Sequence, residues 1–164
     1  MPFQIHSLPA EDFAHLFTLT DTGLAKLNAC RQIVQSKPGT PCRVSMADAE
    51  VGETVMLLNY DHQPANSPYK ANHAIFVREG VPQALLAIGE VPEVLRSRVI
   101  SLRLFDRNHM MVDADVLQGE GLAEAIERAF EREQVAYAHL HYAKPGCFAA
   151  SVTRAEQQDR LADG

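Results

Sequence analysis

The sequence predicts an α+β domain, mainly antiparallel sheet with helices packed on one face. Two pairs of strand-like runs flank turn residues, at 99–117 and 135–153, as in hairpins. Helix-spaced apolar residues fall near the start and just before the last pair, the segregated order of α+β folds. Thr54-Val55-Met56-Leu57-Leu58 is an unbroken apolar run of strand length, the mark of a central strand covered on both faces.

The elements follow in order. Phe3 to His6 begins as a short strand. Pro9 suits a first helical position, and Phe13, Leu16 and Phe17 share a face, which predicts a helix over 9–18. Thr20 and Asp21 can cap a second short helix through Leu24 and Leu27, and Cys30 to Gln35 reads as a strand. Ser36 to Pro41 is a turn, because Pro presets φ and Gly supplies positive φ. The polar stretch from Asp61 to Lys70, with Pro64 and Pro68, is expected to be a long loop before the strand Ala74 to Val77. Pro92 opens a short helix. Val99 to Phe105 and Met110 to Leu117 form a hairpin across Asp106 to His109. Leu122, Ile126, Ala129 and Phe130 build the strongest helical face, with Glu124 and Arg128 paired on the wet side. Val135 to Tyr142 and Phe148 to Thr153 close the chain as a hairpin around Lys144-Pro145-Gly146. A single domain over 1–154 and a polar tail over 155–164 are expected.

At 164 residues, 46% hydrophobic and 22% charged, the chain can bury a core without staples. Its net charge of −6 argues against nucleic acid, whose binding needs clustered cations. No apolar run is long enough to span a bilayer and the N-terminus lacks a secretory pattern, so a cytoplasmic protein without a membrane partner is expected. Cys30, Cys42 and Cys147 are widely spaced and form no CxxC, which fits reduced thiols.

Alternation along 135–142 puts Tyr137, His139 and His141 on one strand face and Ala136, Ala138 and Leu140 on the other. Two imidazoles at i and i+2 can converge on an anion or a metal, although half-exposed histidines bonded to neighbours are the plainer account. A metal would need His73 or Cys147 beside His139 and His141, and no metal and no cofactor is the expected outcome. Cys147 near the two histidines suggests a thiol-imidazole arrangement, so Cys147, His139 and His141 are the catalytic candidates, with no third orienting group apparent. Cys42 beside Arg43 has the same weakness. Ser67 to His73 packs a hydroxyl, a phenol, an amide and an imidazole into one loop end, which Arg43 and Arg78 could complete as an anion pocket. An even register would set Arg103 across from Asp113 as a structural ion pair.

Pro41-Cys42-Arg43, Ser67-Pro68-Tyr69, Ile75-Phe76-Val77-Arg78 and Pro145-Gly146-Cys147-Phe148 together resemble the bacterial family called domain of unknown function 1203, over nearly everything to about Arg154. The family pattern favours Gly-Pro before the Ile-Phe strand, where this chain has His73-Ala74. The resemblance implies no activity, cofactor or substrate. The functional expectation is a pocket for a small polar or anionic ligand, lined by Arg43, Tyr69, Arg78, His139 and His141. A non-catalytic interaction or homodimer module using the face around Tyr137 is the alternative.

Overall fold

The computed structural model describes residues 1–155; the tail expected over 155–164 lies, beyond Ala155, outside the described residues. The strands are β1 (Phe3–His6), β2 (Ala29–Ile33), β3 (Thr54–Gln63), β4 (Ala71–Arg78), β5 (Val99–Phe105), β6 (Met111–Gln118), β7 (Tyr137–Tyr142) and β8 (Phe148–Arg154). The α-helices are short: α1 (Asp21–Lys26), α2 (Glu93–Arg96) and α3 (Leu122–Ala129). The mainly antiparallel α+β class stands, but the expected single sheet does not. The strands divide into a five-stranded sheet, order β1-β8-β7-β5-β6, and a three-stranded sheet, order β2-β3-β4, antiparallel throughout.

Each sheet has its own core. Leu102, Leu104, Ala138 and Leu140 pack with Leu95 of α2 and with Leu122 and Ile126 of α3. Met56, Leu58, Ile75 and Val77 pack with Leu24 of α1 and with Phe13 and Leu16. The helical segments are thus shared between two sheets instead of gathered over one. A helix over 9–18 is not formed: Ala10–Asp12 and Ala14–Thr18 are two 3₁₀ turns. A single apolar stripe this short cannot offset the cost of α-helix nucleation, and Phe13 between the turns sits at φ −118°.

The difference that matters most for the site lies in β3. Asp61-His62-Gln63, expected to begin a loop, continues the strand past an irregularity after Tyr60, and Gln63 regains its pairing opposite Ala71. The Gln63 amide then donates to the Tyr137 hydroxyl at 2.9 Å, tying this end of the small sheet to β7 of the large one. Tyr137 is also held by His109, whose Nδ1 lies 2.7 Å from the same oxygen.

Candidate functional site

The histidine face of β7 is not open to solvent. His139 and His141 are 7% and 1% exposed, because the end of β3 and the Phe148 ring lie across them. The account of them as half-exposed surface histidines therefore fails. Ala138 and Leu140 occupy the opposite, core face, as alternation requires.

His62 completes a cluster. Its ring centroid is 4.9 Å from that of His141 and 6.2 Å from that of His139, and one ring nitrogen from each of the three lies within 4.8 Å of the others. Phe148 stacks on His62 at 5.6 Å and 6°, and Phe105 flanks His139 at 5.1 Å. In this dry setting all three imidazoles are held neutral at pH 7. Burial chiefly lowers His62 and His139 to about 4 and His141 to about 3; Arg103 adds to the effect on each, and His73 adds to it at His62. His141 Nδ1 sits 3.0 Å from the Gly146 carbonyl. A carbonyl only accepts, so Nδ1 carries the proton and the lone pair is on Nε2. The buried Nδ1 atoms of His62 and His139 have no hydrogen-bond partner among the described residues. Leaving such a group unpaired costs about 1–3 kcal/mol.

Arg43 sits elsewhere. It is 1% exposed and makes no ion pair among the described residues. Its Nε donates to Phe148 O at 2.8 Å, Nη1 to Pro41 O at 2.6 Å and Nη2 to Cys147 Sγ at 2.9 Å, and the guanidinium lies 4.9 Å from the Tyr142 ring centroid. Burial pushes the Tyr142 phenol up to about 12, which keeps it neutral beneath the cation. Arg43 and Cys147 open onto a cavity of about 500 Å³. Leu57, Phe76, Val99 and Pro145 supply apolar wall; Arg98, Lys144 and His73 supply polar groups, and among the described residues no lining residue is acidic. Arg98 is itself held by Asp48 at 2.7 Å.

The five residues expected to line one pocket are thus separated. Arg43 lines the cavity, while His139 and His141 lie in the imidazole cluster between the sheets. Arg78 is engaged by Glu53 through two hydrogen bonds of 2.8 and 3.0 Å, with its remaining amine on Ser45. Its charge is met by Glu53, and it lines neither the cavity nor the imidazole cluster. Tyr69 is exposed and packs edge-on to Phe105 at 6.0 Å. The thiol-imidazole expectation is replaced as well: Cys147 meets the Arg43 guanidinium, and His141 turns its Nδ1 to Gly146 instead. His73 and Cys147 are not members of the imidazole group; both line the cavity. Nor does Arg103 oppose Asp113. The register sets Arg103 opposite Ala114 and His139, and Asp113 pairs with Arg132 at 2.9 Å. The polar, proline-containing composition of 61–70 masks His62, although Met56, Leu58, Tyr60 and His62 continue one period-2 face.

A family model described as "Protein of unknown function (DUF1203)" matches residues 39–154. No curated protein and no solved structure matches the chain. No helix among the described residues is long and apolar enough to cross a membrane.

Proposed function

Because the chain belongs to the DUF1203 family, whose function is unknown, kinship supplies no activity, and we propose from the geometry that the protein binds a small molecule with an apolar body and an anionic group in the cavity beside Arg43. One observation carries this reading. In a chain of net charge −6, the cavity lining among the described residues includes Arg43, Lys144 and the Asp48-paired Arg98, and no carboxylate. An aqueous cleft lined by one sign of charge raises the local concentration of the opposite sign, and the apolar walls exclude water from the pair. The volume suits a metabolite-sized ligand. Arg43 is preorganised by two carbonyls and the Tyr142 face, so its remaining N–H groups keep a fixed direction.

The test is a thermal-shift and calorimetric screen of small aromatic and aliphatic carboxylates and phosphates. Binding by at least one class is expected, weakened by Lys144→Glu, since Lys144 is an exposed lining residue whose replacement should leave the fold intact. No binding by any anionic class, or binding indifferent to Lys144→Glu, sinks the reading.

A further inference from the structure

We propose that His62, His139 and His141 form a binding site for one divalent transition metal ion of the zinc class, its fourth coordination position taken by water or an exogenous anion. The site lies between the sheets, on groups other than those lining the cavity, and stands or falls apart from the cavity reading.

The donor set is the first support. Three imidazoles from two separate elements, β3 and β7, place a ring nitrogen each within 4.8 Å of one another. Around a tetrahedral zinc with bonds of about 2.0–2.1 Å, ligand nitrogens stand about 3.3 Å apart. Small ring rotations close that difference. Two tethers hold the geometry: the i, i+2 spacing fixes His139 and His141 on one strand face, and the Gln63 to Tyr137 hydrogen bond brings the end of β3 across them.

The second support is the state of the ring nitrogens. His139 is 7% exposed, and among the described residues its Nδ1 has no hydrogen-bond partner; the buried Nδ1 of His62 has none either. The rings nonetheless crowd together: His62 meets His139 and His141 edge to face, and His139 and His141 are tilted at 36° to each other. His141 shares a feature with metal-bound histidines: its Nδ1 donates to a backbone carbonyl, which orients the ring and leaves the Nε2 lone pair free. Phe148 and Phe105 supply a dry wall.

Arg103 argues for the fourth ligand. It stands opposite His139 in the register, with Ser101, whose hydroxyl accepts from its Nε at 3.2 Å, opposite His141. A guanidinium here repels a bare dication and attracts an anion bound to it. Three neutral protein donors with one exchangeable position is the pattern of an open zinc site; a closed structural site would need a fourth protein ligand, and none joins this group among the described residues.

The experiment uses untagged protein stripped with a chelator, then titrated with zinc by calorimetry and with cobalt(II) by visible absorption. Wild type is expected to take up about one zinc per chain, rise in melting temperature, and give the intense visible bands of four-coordinate cobalt. His62→Ala is the decisive variant, because His62 is only half-buried and its loss should leave the fold standing by circular dichroism. It is expected to lose all three responses, while His73→Ala and Cys147→Ala keep them. Wild type that takes up no zinc, or a folded His62→Ala that binds like wild type, overturns the proposal. Loss of uptake in His73→Ala or Cys147→Ala overturns the stated ligand set. Lys144→Glu, which tests the cavity, leaves zinc uptake unchanged.

Discussion

Single side chains decide how much charge this interior tolerates. Arg43 is buried with two carbonyls, a thiol and an aromatic face as its partners. Arg43→Lys keeps the charge but cannot reach acceptors in three directions, leaving buried oxygens unpaired. A loss of about 2–4 kcal/mol in urea unfolding is expected, and a loss below about 1 kcal/mol would show that water replaces the guanidinium freely. The imidazoles give a pH signature in the metal-free protein. Their folded values, about 4, 4 and 3, lie below the 6.5 of an unfolded histidine. The unfolded chain therefore binds protons first as pH falls. Stability should be level above about pH 6.5, decline below it by about 1.4 kcal/mol per pH unit for each of His139 and His141, and level off for these groups near their folded values. Half-exposed His62 contributes less, being screened. Asp61 opposes the shift at His62 only, and Arg103 reinforces all three. Equal urea midpoints at pH 7 and pH 5, a window above the carboxylate range, would contradict this account.

At the scale of elements, two close approaches hold the site in place. Gly119, in the turn before α3, donates its N–H to Arg98 O at 2.8 Å and lies so near α2 that an added Cβ would meet Leu95 O at 1.8 Å. Backbone atoms cannot yield that distance. Gly119→Ala should cost more than about 3 kcal/mol or prevent folding; a soluble variant with wild-type melting temperature would refute the contact. The other approach is the end of β3. Tyr137→Phe removes the hydroxyl that receives the 4%-exposed Gln63 amide. A stability loss of about 1–3 kcal/mol and faster amide exchange confined to residues 60–63 are expected. Unchanged exchange there would mean that strand pairing alone holds His62 in position.

For the whole molecule, the two sheets meet through aromatic and imidazole rings, while the cavity opens beside the β7–β8 turn. The three cysteines report on this arrangement. Cys30 is exposed, Cys42 is 0% exposed, and Cys147 is 8% exposed and lines the cavity. With a small alkylating agent, Cys30 should react in every condition and Cys42 in none short of unfolding. Cys147 should react slowly and be protected by an anion that occupies the cavity. Mass spectrometry of tryptic peptides reads all three; Cys147 alkylated at the same rate with and without a bound anion would place that ligand elsewhere.

The sequence by itself determined what depends on neighbours along the chain. Alternation assigned Tyr137, His139 and His141 to one face, turn residues located the hairpins around 106–109 and 144–146, and the 3.6-residue spacing of Leu122, Ile126 and Ala129 located α3. Tertiary structure alone decided which side chains meet. The division into two sheets, the register that takes Arg103 to His139, and the placement of Cys147 against Arg43 depend on contacts across 36 to 104 positions, which no local period encodes. His62 shows the reason most clearly. Asp61-His62-Gln63 has the polar composition of a loop, but it becomes strand because Ala71 and Tyr137 offer partners that only the assembled fold brings within reach.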